Sequence, residues 1–224
     1  MRWLVTGGLG VIGGLFAEER LRAGDSVTVI DAAEKPRQEY TASRLGGLQN
    51  LNIVRARVER WPLGGPGAAA LALSNFDAVV HAAAHTGIPH SAEAPDDDWR
   101  SNVDATRVLL EALRLHAKET GHRIPTVVMS SVKPYSVDGL PHRREGDRYV
   151  WDPYVWADPL GAAREDYGIN ERHPLEPDEP YAASKMAQSA LSMAYARTYD
   201  LPIVTLRFSN LYGPAPCHGP RHGW

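Results

Sequence analysis

The chain has 224 residues, 43% of them hydrophobic, and a formal charge of −3. That is enough for one substantial domain with a real core, and it excludes both a disordered chain and the general basic footprint of a nucleic-acid binder. Arginine outnumbers lysine 20 to 4, but the arginines are scattered rather than clustered. The single cysteine, Cys217, leaves no internal disulfide and suits a reducing cytoplasm, and no apolar run has the length of a membrane span.

A strand pattern over 2–6 starts almost at the first residue, which reads against a signal peptide. It runs directly into Val5-Thr6-Gly7-Gly8-Leu9-Gly10-Val11-Ile12-Gly13, then a helical pattern over 11–23 and a second strand over 26–31 that closes on Asp31. Glycines at Gly7, Gly10 and Gly13 let the backbone turn tightly and approach a pyrophosphate, which rests on helix N-terminal amides such as those of Val11 and Ile12. An acidic residue about 20 positions on can accept the hydroxyls of an adenosine ribose. The opening segment therefore predicts a dinucleotide site.

Further strands are predicted at 52–56, 78–82, 126–130 and 203–207, with helices at 68–73, 97–118 and 180–199. This alternation predicts an α/β fold with a doubly wound parallel sheet. The fourth strand ends in His81-Ala82-Ala83-Ala84, where small residues permit close approach of a ligand and His81 is expected to bond inside the protein. The fifth ends in Ser130-Ser131, a hydroxyl pair aimed at the ligand side of an open sheet or capping the next turn. Residues 134–166 show no periodicity and carry Tyr135, Tyr149, Trp151, Tyr154 and Trp156, as expected of a lid, an interface or a partly disordered insertion.

On the last long helix, Tyr181 and Lys185 stand one turn apart on the same face. A lysine so placed can stabilise phenolate, lower the tyrosine pKa and hold ribose hydroxyls, although the spacing alone also recurs on solvated helices. Near the end, Cys217, His218 and His222 match no standard zinc spacing, and no metal site is expected.

Taken in order, these segments resemble the extended short-chain dehydrogenase/reductase family, the NAD-dependent sugar epimerases and dehydratases. The family's T-G-G-x-G-x-x-G stands at 6–13 and its D-x-V-x-H-x-A-A at 77–84. Its N-V-x-G-T-x-x-L-L-E-A stands at 102–112, its S-S at Ser130-Ser131, its Y-x-x-S-K at 181–185 and its L-R-x-x-N-x-Y-G-P at 206–214. The resemblance implies a Rossmann domain over 1–214, with 134–166 as a possible lid and 215–224 as the start of a substrate domain that is otherwise largely absent.

The resemblance also implies roles. Tyr181 is the acid/base, Lys185 binds the nicotinamide ribose, and Ser131 holds the reacting oxygen. Asn102 is a polar support near the cofactor, and Asn210 lies toward substrate. Gly7, Gly10, Val11, Ile12, Gly13, Asp31, Val58, Ala82, Ala83 and Ala84 line the cofactor, and Asp31 favours NAD over NADP because a carboxylate repels a 2′-phosphate. The implied partners are a nucleotide-sugar or small sugar and a second copy of the chain, meeting through the helices at 97–118 and 180–199 with Leu191, Met193 and Tyr195 available; neither nucleic acid nor membrane is expected.

Two departures stand out. Arg57 occupies the stretch where the family usually places an adenine-binding aspartate, and Val132-Lys133 replaces the Asp-Glu pair that 4,6-dehydratases carry, which reads against elimination of water. The run Ser130-Ser131-Val132-Lys133-Pro134-Tyr135 is most similar to CDP-paratose 2-epimerase-like proteins, which also carry a Gly-Trp comparable to Gly223-Trp224. The expected function is an NAD-dependent epimerase using transient hydride transfer. A dehydrogenase or reductase of a smaller substrate and a non-catalytic nucleotide-binding remnant are the alternatives.

Overall fold

The computed structural model describes residues 1–60, 66–86, 88–135, 142–151, 171 and 173–211. The chain opens with β1 (Arg2–Thr6), α1 (Val11–Arg22), β2 (Ser26–Asp31), α2 (Pro36–Leu45) and β3 (Leu51–Arg55). It continues through α3 (Pro66–Leu73), β4 (Ala78–His81), α4 (Ile88–Glu93), α5 (Pro95–Asp98), a π-helical turn (Trp99–Asp104), α6 (Ala105–Thr120) and β5 (Thr126–Ser131). A two-stranded hairpin, β6 (His142–Glu145) with β7 (Arg148–Trp151), precedes α7 (Pro180–Tyr199) and β8 (Ile203–Phe208).

Six strands form one sheet in the order β3-β2-β1-β4-β5-β8, all parallel. The order reverses between β1 and β4, so a crevice opens beyond their carboxyl ends, the place where open α/β sheets take ligands. Period-two alternation puts Leu4 and Val5 on opposite faces of β1, and both are fully buried. Leu4 packs with Ile30, Val79, Leu73, Leu109 and Leu113, on the side of α3 and α6. Val5 packs with Val27, Val29, Val80, Ala17 and Leu21, on the side of α1. Two covered faces explain why the central strands read as continuous apolar runs. The edge strand β8 differs, since Val204 and Leu206 are exposed.

The observed strands fall within a residue or so of their predicted bounds. Three features differ from expectation. The polar helix α2 lacks the apolar stripe that marks a helix in sequence, yet Pro36 opens it and the Gln38 side chain accepts the Lys35 amide at 2.7 Å. The helix expected at 97–118 is instead α5, a π-turn and α6 in succession. Within the segment read as irregular, residues 142–151 pair as the β6–β7 hairpin. Residues 136–141 and 152–166 of the expected lid, the Cys217, His218 and His222 cluster, and Gly223-Trp224 lie outside the described residues.

Candidate functional site at the strand crossover

The nucleotide end of the crevice is shaped by backbone. Gly7 has φ +66°, and a Cβ there would lie 2.5 Å from Ala83 N and 2.6 Å from the Ala82 carbonyl carbon. A side chain would thus collide with the end of β4 besides straining the turn. At Gly13 a Cβ would strike the Gly7 carbonyl oxygen, so this third glycine seats α1 on the loop. Gly10 begins α1 with no side-chain cap and no acidic residue in the first turn, leaving the positive end of the helix open to an anion.

Asp31 closes β2 almost fully buried. Its Oδ2 accepts the Leu9 amide at 2.9 Å, and its Oδ1 accepts the Ala33 amide at 3.0 Å and Gln38 Nε2 at 2.6 Å. Burial pushes the carboxyl above its ordinary pKa, against the pull of the Ala33 and Leu9 amides. A carboxylate has about four acceptor sites, so three protein donors leave room for a ligand hydroxyl. The open cleft is lined by Gly7, Gly10, Asp31, Val58, Ala82, Ala83, Ala84 and His85, with Arg57 on its rim. Val11, Ile12 and Gly13 are in the first turn of α1 and are not among the lining residues. Arg57, where an acid was expected, pairs with Glu34 at 2.7 Å.

Ser131, Tyr181 and Lys185 are not among the residues that line this cleft; they gather where the carboxyl end of β5 meets α7. Ser131 ends β5 and lies beside the half-buried phenol of Tyr181 in the first turn of α7. The Ser131 hydroxyl oxygen accepts the Lys133 amide at 3.2 Å. Lys185 is buried, and its Nζ donates to Met129 O at 3.0 Å and Gln188 Oε1 at 2.9 Å. Burial pushes the amine down to about 7, with Asp98 working the other way.

The spacing of Tyr181 and Lys185 predicts a lysine that draws the phenol pKa down. In the structure burial pushes the phenol up, the neighbouring Ser131 hydroxyl pulls it down, and Asp98 and Glu179 push it up again. The physical reason is direction: the Lys185 amine is turned toward the end of β5 and Gln188.

Asn102 does not line the cleft. It is buried in the π-turn, where its Oδ1 accepts the His85 amide at 2.8 Å and its Nδ2 donates to Ser184 Oγ at 2.9 Å and His85 O at 3.2 Å. Ser184 Oγ in turn donates to Tyr181 O at 2.7 Å. Asn102 thereby ties the cleft-lining loop after β4 to the helix that carries Tyr181 and Lys185, and the irregular π-turn is what aims it there. Asn210 is exposed just past β8. His81 is fully buried and bonds Thr6 and Thr106, as expected of an internal histidine.

One pair escaped the sequence reading. His85 lines the cleft, and its Nδ1 lies 2.7 Å from Oδ1 of the fully buried Asp98, whose Oδ2 has no hydrogen-bond partner among the described residues. Asp98 sits in a run of three aspartates that reads as a solvated helix start, so nothing in the pattern singles it out.

The dTDP-glucose 4,6-dehydratase of Xanthomonas campestris pv. campestris is 33% identical over 217 residues, covering 95% of this chain and 54% of that protein. The UDP-glucose 4-epimerase of Corynebacterium glutamicum is 26% identical over 95% of this chain and 52% of its own. The chain thus spans about half the length of the curated relatives it matches. Among solved structures, DesIV, a dTDP-glucose 4,6-dehydratase from Streptomyces venezuelae with NAD and TYD bound, superposes with TM-score 0.71 at 27% identity, over 96% of this chain and 57% of that one. The UDP-glucuronic acid 4-epimerase from Bacillus cereus, in complex with UDP-glucuronic acid and NAD, shares the fold with TM-score 0.72 at 21% identity, over 96% and 58%. The NAD dependent epimerase/dehydratase family profile matches residues 3–223, and the chain belongs to that family.

Proposed function

We propose that this chain is the NAD-binding and catalytic half of a sugar-nucleotide epimerase in which Tyr181 is the acid/base. The observation that carries the reading is the meeting of Ser131, at the carboxyl end of β5, with Tyr181 on α7, close enough for the hydroxyl to pull on the phenol, one helical turn from the buried Lys185. Residues of the crevice fit a dinucleotide: the glycine cradle that a Cβ would fill, the open N-terminus of α1, and an Asp31 with acceptor capacity to spare. When bound, the nicotinamide ring supplies a hydride acceptor that can return what it takes.

Tyr181 would take the proton from the sugar hydroxyl as its phenolate, a form that burial opposes and that the positive ring of a bound NAD would favour, and give it back on the return step. Ser131 donates to the same sugar oxygen as it becomes a carbonyl, a preorganised donor of the kind that stabilises developing charge. Lys185 holds ribose hydroxyls and sets the local charge. Elimination of water is not part of the proposal, because Val132 and Lys133 are exposed residues with no carboxyl where dehydratases carry Asp-Glu. A homodimer belongs to the same reading. On α7, Leu191 and Tyr195 pack on the protein's own core, leaving Met193 and Tyr199 exposed for a second copy.

The test is a panel of sugar nucleotides added to the protein with bound NAD, followed by absorbance of the reduced cofactor and by product stereochemistry. Epimerisation without net consumption of NAD is expected. Net, stoichiometric reduction would make it a dehydrogenase, and tight NAD binding without any turnover would make it a nucleotide-binding remnant.

A further inference from the structure

Lys185 carries three N–H groups, and two of them have partners that fix its place: Met129 O and Gln188 Oε1. Gln188 is fully buried, one helical turn beyond the lysine on α7. In its ammonium form Lys185 only donates, so the amide oxygen of Gln188 faces it and the NH₂ faces Thr106 Oγ1, 2.9 Å away. The Thr106 hydroxyl has a single proton, which goes to Asn102 O at 2.6 Å, since a carbonyl only accepts.

Thr106 Oγ1 therefore accepts from His81 Nε2, 2.9 Å away. His81 is then the Nε2–H tautomer, and its Nδ1 accepts from Thr6 Oγ1 at 2.6 Å. Burial, with the Lys185 charge second, pushes the imidazole down to about 3 and keeps it neutral. A buried hydrogen-bond network of determined polarity thus joins the last residue of β1, at the glycine turn, to the lysine on α7.

From this network we infer that Gln188 is a positioning residue, holding the Lys185 ammonium against the end of β5. The inference rests on the proposed role of Lys185 beside Tyr181 and names what sets that lysine's place. If Lys185 swung away, the Gln188 oxygen would be stranded in the core without a donor, at a large cost. Without Gln188, only Met129 O would hold a long side chain that otherwise regains its rotamers. The charged and titratable groups that face Lys185 are Asp98 from α5 and His81 from β4.

The chain has four lysines, so a sample labelled with ¹³C at lysine Cε gives four signals, and Lys185→Met identifies the one of interest. In Gln188→Glu its titration midpoint should rise by about one pH unit or more, a tenfold change in protonation, and in Gln188→Met it should fall. Midpoints equal to the parent's in both variants would overturn the assignment. The unmodified protein provides a second reading: ¹⁵N shifts must report His81 as the Nε2–H tautomer, and an Nδ1–H tautomer would break the network and the inference with it. Neither measurement needs NAD or substrate. A failed turnover assay therefore sinks only the proposed function, and an unmoved lysine sinks only the role of Gln188.

Discussion

The two ends of the crevice are made from different materials. At the β1–α1–β2 end the surface is backbone, and its shape depends on atoms that are missing: the Cβ of Gly7 and of Gly13. At the β5–α7 end the surface is side chain, placed by a buried network that draws on β1, β4, the π-turn, α6 and α7. The first end tolerates no added atom, and the second tolerates no lost partner. Variants should therefore separate binding from chemistry.

The largest effect is expected from Tyr181→Phe. Removing the phenolic oxygen deletes a general acid/base, so turnover should fall by about 10²- to 10⁴-fold. NAD affinity, set at the glycine end, should stay within about threefold of the parent, since one neutral hydrogen bond lost at the far end is worth little there. A variant that turns over as fast as the parent would remove Tyr181 from the mechanism.

Gly7→Ala sharpens the comparison from the other side. The added carbon meets the Ala82-Ala83 backbone at 2.5–2.6 Å and sits on a residue with φ +66°. Overpacking and a left-handed backbone together amount to about 3 kcal/mol, or roughly a hundredfold in NAD affinity if the loop distorts rather than unfolds. Calorimetric titration and thermal melting distinguish these outcomes, and an alanine that binds NAD like the parent would show that the loop can open away from β4.

These materials also explain what could be read in advance. A turn that requires missing side chains advertises itself as glycines at fixed spacing, and β1, β2 and the continuous apolar strands behind it follow from local pattern alone. The Tyr181–Lys185 spacing was visible too, because one helical turn is a local relation. The orientation of Lys185 was not, because it depends on Gln188 and the Met129 carbonyl, which meet it only after α7 packs on β5. Asp98 and His85 are paired across 13 residues and an irregular turn that no periodicity encodes. Gln188 might have been suspected, since it follows Lys185 by three positions on a helix, but a glutamine there reads equally well as solvated surface. Helix α2 hid for the opposite reason: a polar helix anchored by Pro36 and the Gln38 side chain, burying little beyond Thr41 and Leu45.

A third prediction concerns pH. His81 titrates near 3 in the fold against 6.5 for the free side chain, and Lys185 near 7 against 10.5. In both windows the unfolded chain binds the proton that the folded one refuses, so stability must rise with pH, from about 3 to 6.5 and again from about 7 to 10.5. Melting temperature followed across pH should show both climbs superposed on the carboxylate titrations. Lys185→Met should flatten the upper one; an upper climb that survives the substitution would mean that some other group carries it.

The smallest effect is expected at the rim, where Arg57 stands in place of an acid. Its guanidinium reaches Glu34 at 2.7 Å and Glu59 at 3.8 Å, and both Arg57 and Glu34 are more than a third exposed. Exposed pairs of this kind contribute little because water and salt screen them. Arg57→Ala should change NAD affinity by about twofold or less at moderate salt, and raising the salt should erase even that difference. Gly7→Ala at the same salt should keep its full penalty, because steric overlap is not screened. If Arg57→Ala instead cost as much as Gly7→Ala, the adenosine end would be held by a charged side chain and not by backbone shape, and the division between the two ends of the crevice would fail at its better-supported side.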